Sequence, residues 1–247
     1  MTSNPVIGSP GGKGVSTAAV SDATTLSIPT LQTLLGEVLE VCFHELLYQR
    51  ELYPHEIFSP QREYLGIRHH VAVNEEISLY IVNTLDVAVP AICSGLADKI
   101  SFDIVDSQGD LIESYVFDVD SRMLSDGGGC KQHWDAQKVY ALEQNFKNLL
   151  LKIITLDGLM SALPSDAKFK LRLHTVDNND PDQQGCRELH HAIKTGTWVR
   201  SVEKEVGNQS TAKNNDSLVI RLLKSIHVPE SNLRMELTVK FKAPEGD

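Results

Sequence analysis

The sequence predicts an α+β domain, because its hydrophobic pattern changes along the chain between the period of a helix and that of a strand. Apolar residues first recur at three- and four-residue spacing, then alternate with polar residues, and both patterns return further along. The chain has 247 residues, of which 41% are hydrophobic and 23% are charged, as is ordinary for a globular protein. A chain of this size is expected to bury a sizeable core without disulfides or metal ions.

Residues 1–26 are predicted to form a disordered tail, since they are rich in Ser, Thr, Gly and Ala and nearly lack large apolar side chains. The tail contains Gly-Gly-Lys-Gly at residues 11–14, which has a superficial likeness to a phosphate-binding loop. However, Ile7 stands where that motif needs Gly, and Gly14 stands where it needs Ser or Thr. Nucleotide binding is therefore not expected here.

Two amphipathic helices are predicted next. The first begins near Ser27-Ile28-Pro29 and ends at Tyr53-Pro54, because a residue before proline is pushed out of helical geometry. The second spans about residues 75–92. Their apolar stripes are Leu31, Leu34, Leu35, Val38, Leu39, Cys42, Leu46 and Leu47 in the first, and Ile77, Tyr80, Ile81, Thr84 and Leu85 in the second.

The period then changes to two, which predicts an antiparallel hairpin. Ile100, Phe102 and Ile104 alternate with polar residues, residues 107–110 form a turn, and residues 112–119 alternate again. A Gly-rich loop follows, and a long helix is predicted from about residue 135 to residue 163, closed by Pro164. Residues 169–173 form a further alternating strand.

The last third of the chain differs from the rest. Residues 177–188 and 203–217 are polar and rich in turn formers, and short strand-like segments lie at 198–202, 218–223 and 233–241. Strands joined by long polar loops change partners more easily than a packed helix does. We therefore expect this region to be tethered loosely to the core.

Net charge, hydrophobic stretches and cysteine spacing argue against a nucleic-acid-binding, a membrane-spanning and a disulfide-bonded secreted protein. The chain carries 23 Lys and Arg against 33 Asp and Glu, a net charge of −10, which argues against binding nucleic acid mainly by neutralising phosphates. No stretch approaches 18 uncharged apolar residues, so a transmembrane helix is not expected, and the N-terminus lacks the apolar segment of a signal peptide. The four cysteines are scattered without a CxxC pair, which favours a reducing compartment.

The sequence offers no enzyme or metal-site signature. Neither His69-His70 nor His190-His191 has further ligands at recognised spacing, and Cys130-x-x-His133 is half of a zinc pattern without a second half. Asp118-Val-Asp120 resembles a metal-binding element, but it ends an alternating strand and is better explained by solvated carboxylates. There is no GxSxG motif and no cysteine in a catalytic context.

Two aromatic residues in connecting regions, Tyr64 and Trp198, have two interpretations. They could pack beneath loops, or they could line a groove for a peptide, since Tyr and Trp supply rigid contact area at low entropic cost. The residues alone do not decide between these interpretations.

Five segments resemble the HORMA domain family in the same order. They are residues 34–54 with Ile57-Phe58 and Tyr64; Asp118-Val-Asp120; residues 143–153, Glu-Gln-x-Phe-Lys-x-Leu-Leu-Leu-Lys-Ile; Leu173-His174-Thr175 with Thr197-Trp198-Val199; and residues 233–237, Leu-Arg-Met-Glu-Leu. The resemblance covers about residues 30–241. It is strongest to the branch that contains the non-catalytic accessory subunit of the translesion DNA polymerase zeta.

This resemblance implies three main helices packed on a mainly antiparallel sheet. The HORMA core would occupy residues 27–176, and residues 177–247 would form the mobile "safety belt" of the same domain. The belt wraps a short peptide from a partner, which is strand addition with a lid.

The resemblance also implies roles for individual residues. Tyr64 and Trp198 match the aromatic residues of the peptide groove, and Lys147 matches a basic position used in dimerisation between HORMA domains. Lys147 stands where a relative has Arg, which puts a bidentate contact in doubt. Docking of the scaffold polymerase is implied for three positions, Ile220, Glu236 and Thr238, whose identities differ from those of the relative.

The expected function is that of a non-enzymatic adaptor in DNA-damage tolerance and repair, located in the nucleus and secondarily in the cytoplasm. Its partners would be a proline-containing peptide of the polymerase zeta catalytic subunit and the C-terminal domain of the scaffold deoxycytidyl-transferase polymerase, with a HORMA homodimer as a further contact. No cofactor, metal, membrane or direct nucleic-acid contact is expected. The alternative is a checkpoint or meiotic HORMA protein that switches between open and closed states.

Overall fold

The computed structural model describes residues 28–59, 62–120, 136–156, 160–176, 189, 191, 194, 218–228 and 233–242. Within these residues lie three α-helices, a short 3-10 helix and seven strands. The helices are α1 (Ile28–Gln49), α2 (Glu75–Cys93) and α3 (Ala136–Ile154), and the 3-10 helix is His55–Ile57. The strands are β1 (Arg62–Tyr64), β2 (Ile67–His69), β3 (Ala97–Val105), β4 (Leu111–Asp120), β5 (Lys168–Thr175), β6 (Leu218–Val228) and β7 (Leu233–Lys242).

Five of the strands form one antiparallel sheet in the order β5-β3-β4-β7-β6. The helices form a layer on this sheet, in which α1 contacts both α2 and α3, α2 contacts β3, and α3 contacts β6. The separate hairpin β1–β2 contacts α3. The predicted α+β class, with three helices on a mainly antiparallel sheet, is confirmed.

The core lies between α1 and the central strands. The ring of Phe43 on α1 meets the rings of Phe102 on β3 and Phe117 on β4, at centroid distances of 5.8 and 5.6 Å. All three are fully buried, and burial of each aromatic side chain is worth roughly 1.5–3 kcal/mol. The alternating positions of β3 and β4 supply this face because successive strand residues point to opposite sides.

Helix α2 begins at a capped end, since the side chain of Asn74 accepts a hydrogen bond from Ile77 N. By length and hydropathy alone α2 could cross a membrane, but half of the apolar stretch is buried inside the domain. Its inward residues belong to the same core as α1. In this fold it is a core helix.

One buried ion pair joins α1 to the sheet. Arg50 Nε and Nη2 donate to the two carboxylate oxygens of Glu113 at 3.0 and 2.8 Å, and Nη2 also donates to the carbonyl of Ser161 at 2.6 Å. Tyr115 Oη donates to the same carboxylate at 2.8 Å. The pair therefore has the additional hydrogen bonds that a buried ion pair requires.

Two helix ends and one hairpin differ from the sequence predictions. Helix α1 ends at Gln49, four residues before Tyr53, because Glu51 takes a left-handed φ of 49° and the N–H of Leu52 returns to the carbonyl of Leu47. The predicted connection around Tyr64 contains the short hairpin β1–β2.

The end of α3 was also predicted wrongly. The helix stops at Ile154, well before Pro164. The chain tightens there into a three-residue turn, in which the N–H of Leu156 donates to Ile153 O and the hydroxyl of Thr155 donates to Leu151 O.

Candidate functional site

Strand β5 is an open edge of the five-stranded sheet. Among the described strands it pairs only with β3. The N–H of Leu171 points away from β3, because it donates to Tyr80 Oη on α2 at 3.1 Å. Antiparallel pairing alternates, so the main-chain groups of Phe169 and Leu173 face outward as well. The edge therefore offers a row of donors and acceptors to an added strand.

An aromatic cluster lies beside this edge. Tyr80 is 42% exposed, and its ring meets that of Phe169 on β5 edge-on at a centroid distance of 5.5 Å. Phe169 also meets Tyr53 at 6.3 Å and stacks on Phe102 of the core at 5.3 Å. The cluster is thus anchored in the core at one end and open to solvent at the other, as in a binding surface for apolar side chains.

The side chains on the solvent-facing side of β5 are basic. Lys168 and Lys170 are exposed, and Arg172 Nε pairs with buried Asp103 at 2.9 Å. The second carboxylate oxygen of Asp103 accepts from Ser114 Oγ at 2.5 Å. In a chain of net charge −10, this edge is a local positive patch.

Tyr64 lies in a different place. It is half-buried on β1, and its hydroxyl is buried with no hydrogen-bond partner among the described residues. Burial raises the pKa of this phenol, and nearby Glu37 and Cys42 on α1 and Glu143 on α3 raise it further. Tyr64 therefore neighbours α1 and α3, whereas the β5 edge neighbours α2.

Trp198 lies outside the described residues. The described part of the predicted belt consists of residues 189, 191 and 194 and the hairpin of β6 and β7, in which β7 pairs with β4. The assignment of Tyr64 and Trp198 to a peptide groove stays a prediction.

Lys147 lies on α3 between two exposed apolar residues of the same helix. Tyr140 is 61% exposed and Leu151 is 40% exposed, and their spacing of seven and four residues from Lys147 places all three on one face. The Lys147 ammonium is near the β1–β2 turn, 3.7 Å from the point where a Cβ on Gly66 would lie. The predicted dimerisation residue thus lies on a partly apolar helix face.

The three residues predicted to dock the scaffold polymerase lie on one face of the β6–β7 hairpin. Leu222 is opposite Thr238 and Ile220 is opposite Lys240, while Glu236 lies two residues from Thr238 on the same side. Ile220 is 63% exposed and Leu222 is 55% exposed. Leu222 was missed from the sequence, although its position two residues after Ile220 could have identified it.

Several side chains of the motifs considered for metal binding contact other groups where the structure describes them. The ring of His70 stacks on Tyr48, and its Nδ1 lies 3.3 Å from Glu45 Oε2, whereas Nδ1 of His69 is buried with no hydrogen-bond partner among the described residues. Asp118 pairs with Lys99 at 2.8 Å, and this hydrogen bond raises the pKa of the lysine.

No group of three or more His, Cys, Asp or Glu side chains that could hold a metal occurs in the described part of the chain. The Cys130–His133 segment and His190 lie outside that part.

An open sheet edge beside an aromatic cluster, together with exposed apolar residues on a strand face, is typical of domains that bind other proteins. Residues 32–214 match the model of the HORMA domain family. The chain therefore belongs to the HORMA domain family, as its sequence motifs predicted.

Its relatives include proteins named mitotic spindle assembly checkpoint protein MAD2B. The protein of that name from Gallus gallus is 24% identical over 213 residues, which cover 86% of this chain and 92% of the relative. The Homo sapiens protein is 24% identical over 215 residues with the same coverage. Family membership thus supports a HORMA-type adaptor that acts through protein–protein contacts.

Solved structures show the same fold. A chain of a mitotic checkpoint complex superposes with a TM-score of 0.64 at 16% identity, over 86% of this chain and 99% of that one. Caenorhabditis elegans HTP-2 bound to a HIM-3 closure motif gives a TM-score of 0.59 at 12% identity, over 88% and 92%.

Proposed function

We propose that this chain is a non-catalytic adaptor subunit of DNA polymerase zeta in translesion DNA synthesis. It clamps a proline-containing peptide of the catalytic subunit under the belt formed by residues 177–247. It also contacts the C-terminal domain of the scaffold deoxycytidyl-transferase polymerase and so bridges the two enzymes. The order of the HORMA-like motifs and the similarity to proteins named MAD2B support this assignment.

The main structural support for the proposed peptide binding is the open edge of β5. A partner strand paired with β5 gains affinity from main-chain hydrogen bonds and specificity from pockets for alternate side chains. The pairing of β5 with β3 is regular from Lys168 to His174. The free edge of β5 is therefore straight enough for a further strand to pair with it. Tyr80 and Phe169 supply the apolar surface for the prolines of the peptide.

Clamping has a kinetic consequence. Residues 177–217 precede β6 and are long enough to pass over a bound strand, so the peptide cannot leave until the belt reopens. Affinity in such a complex is gained mainly through a slow dissociation rate. The net charge of −10 suits an adaptor that reaches DNA through its partners.

A peptide titration with the full chain tests the groove. The probe is a synthetic peptide containing the proline motif of the polymerase zeta catalytic subunit, measured by calorimetry against Tyr64→Ala, Trp198→Ala and Tyr80→Ala. Loss of a buried aromatic anchor weakens binding by about 2–4 kcal/mol, or roughly 30- to 1,000-fold. The matched control is Tyr140→Ala, a change to an exposed tyrosine on α3, which should leave the affinity unchanged.

The outcomes separate the assignments. Loss of binding in Tyr80→Ala alone places the peptide at the β5 edge and removes Tyr64 from the groove. If Tyr64→Ala and Trp198→Ala both bind normally, the groove assigned from the family resemblance is refuted. If the wild-type chain binds no such peptide, the polymerase zeta assignment itself fails.

The outer face of the β6–β7 hairpin serves the scaffold polymerase. Ile220, Thr238 and Glu236 combine an apolar centre with a polar rim, and Leu222 enlarges the apolar part. Lys147 and its face of α3 serve a HORMA–HORMA dimer. The two surfaces lie on different elements, which allows both contacts to form in one assembly.

A checkpoint or meiotic HORMA protein is the second candidate. The names of the relatives and the superposition on a chain of a mitotic checkpoint complex favour it. Purification of the tagged chain from native extract distinguishes the two, since the first candidate brings down polymerase zeta and the second a mitotic activator. We place the chain in the nucleus, with the cytoplasm as a second location.

A further inference from the structure

A groove lies between α1 and α2, apart from the β5 edge and the β6–β7 face. Its volume is about 320 Å³. Gly36 and Glu40 of α1 line one side, and Asp86, Val89 and Pro90 of α2 line the other. The groove thus combines aliphatic walls with carboxylates.

The glycine in the middle of α1 is unexplained by the fold itself. Glycine within a helix is less favourable than alanine, because it loses more backbone freedom on folding. Among the described residues, a Cβ on Gly36 would meet only Val89 Cγ2 at 4.0 Å, which is an ordinary van der Waals contact. The packing of the described residues therefore does not require glycine here, and the effect of the glycine is to keep the groove open.

The carboxylates around the groove repel one another. Burial raises the pKa of Glu40, and the charges of Glu37 and Asp86 raise it further, while Arg62 on β1 acts in the opposite direction. Arg62 does not line the groove. Negative charge at this point is thus only partly compensated by the chain.

A main-chain acceptor adds to this negative character. Pro90 lies inside α2 and has no N–H, so the carbonyl of Asp86 lacks its usual donor four residues on. An ammonium group offers three donors and could satisfy this carbonyl together with the side chains of Glu40 and Asp86.

We propose that the α1–α2 groove is a docking site for a partner segment that presents a Lys or Arg side chain next to aliphatic residues. The aliphatic residues fill the space beside Gly36 and Val89, and the cation lies between Glu40 and Asp86. Charge complementarity selects this occupant. The tail of residues 1–26 contains a single lysine, Lys13, whose immediate neighbours Gly12 and Gly14 lack the aliphatic side chains that the groove would hold, so the tail matches the groove poorly.

Peptide selection on the full chain tests the proposal. A phage library of random 12-residue peptides is selected on the immobilised wild-type chain, and clones are then sorted by their binding to Gly36→Leu, whose side chain fills the groove. Circular dichroism checks that this variant is folded. We expect the clones that Gly36→Leu loses to be enriched in Lys or Arg flanked by Leu, Ile or Val.

Reversing the charge of a residue that lines the groove tests the proposal independently of Gly36→Leu. Asp86 is exposed, so Asp86→Lys should fold and should bind the same peptides at least tenfold more weakly. Glu76→Lys, on the exposed first turn of the same helix, is the control with equal net charge and should bind as wild type does.

Several results would overturn the proposal. If every clone binds Gly36→Leu as well as wild type, the groove is not a docking site. If the clones that depend on the groove contain no Lys or Arg, the groove does not recognise a basic side chain. Clones resembling residues 1–27 would make the chain's own tail the occupant. Self-association of the wild type that Gly36→Leu abolishes, measured by sedimentation velocity, would make a second copy the occupant.

Discussion

The sheet ends in two edge strands, β5 on one side and β6 on the other, and they expose different groups. At β5 the regular main chain faces outward beside Tyr80, and the exposed side chains Lys168 and Lys170 are charged. At β6 the pairing shifts between Leu222 and Lys224, and the exposed side chains include aliphatic ones. A regular edge accepts an added strand, whereas a bulged edge resists one.

Under the proposed function, this difference lets one sheet serve two modes of recognition. Main-chain pairing at β5 suits an extended peptide, and side-chain packing on the β6–β7 face suits a folded partner. The two sides also differ in their ion pairs. Arg50, buried in its pair with Glu113 of β4, also donates to the carbonyl of Ser161 in the chain before β5, whereas the ion pair on β7 is exposed.

The largest effect is expected from the ion pairs. Arg50→Ala leaves Glu113 buried without its cation, which should lower the free energy of unfolding by about 3–5 kcal/mol. Both side chains of that pair are about 95% buried, with exposures of 4% and 5%. Arg234→Ala on β7 removes an ion pair with 61% and 28% exposure and should leave the free energy of unfolding nearly unchanged, because solvent screens an exposed pair.

Urea unfolding followed by circular dichroism measures both variants. A further variant, Arg50→Met, keeps most of the side-chain volume and should be nearly as unstable as Arg50→Ala, because the uncompensated carboxylate remains. Equal effects of Arg50→Ala and Arg234→Ala would show that the buried ion pair stabilises the fold no more than the exposed one does.

Acid should lower the stability of the fold by protonating a buried histidine in the helix layer. His44 on α1 accepts from Ala72 N through Nδ1. Burial lowers its pKa to about 4, and His69 and Arg62 contribute in the same direction. Unfolded His44 takes up a proton as the pH falls through about 6.5, whereas folded His44 does so only near pH 4. Stability should fall over this window, by an amount on the order of 3 kcal/mol.

Urea midpoints between pH 7 and pH 4 measure this loss. His44→Asn keeps an acceptor for Ala72 N and should flatten the profile, although it is less stable at pH 7. His227→Asn changes an exposed histidine on β6 and should leave the profile unchanged. An unaltered slope in His44→Asn would assign the acid sensitivity to other groups.

Binding at the β6–β7 face should depend on its aliphatic centre. Ile220→Asp places a charge at that centre and should weaken binding of the scaffold polymerase C-terminal domain by about 2 kcal/mol, or roughly 30-fold. Folding should be unaffected, because Ile220 is 63% exposed. Val73→Asp, at a residue of 62% exposure on another part of the molecule, is the matched control in surface plasmon resonance. If both variants bind the scaffold polymerase domain equally well, the β6–β7 face is not its binding site.

Much of the fold could be predicted because its periodic segments are long. The predicted span of α2 and the alternation of β3 and β4 agree with the structure within a few residues. The end of α1 could not be predicted, since Leu52 and Tyr53 continue the apolar character although Glu51 leaves the helix. Local backbone choices of this kind depend on tertiary contacts that periodicity does not report.

The site was harder to predict than the fold. Tyr80 fell on the apolar stripe of α2, which indicated a core residue, and only the sheet order brings its hydroxyl to the N–H of Leu171. By contrast, the common face of Ile220, Glu236 and Thr238 follows from strand alternation once the hairpin register is known. Contacts between distant segments are what the sequence pattern leaves out.

The smallest effect is expected from the hydroxyl of Tyr80. Tyr80→Phe keeps the ring contact with Phe169 but removes the acceptor of Leu171 N–H, a hydrogen bond worth about 0.5–1.5 kcal/mol. The amide of Leu171 should then exchange with solvent faster in NMR, by roughly 3- to 10-fold, while the inward amide of Arg172 should not change. An added strand must displace this hydroxyl to reach Leu171, so peptide binding to Tyr80→Phe should be as tight as to wild type or tighter. Weaker binding to Tyr80→Phe would instead mean that the hydroxyl contacts the peptide, and the β5 edge would then be recognised through its neighbouring side chains more than through its main chain.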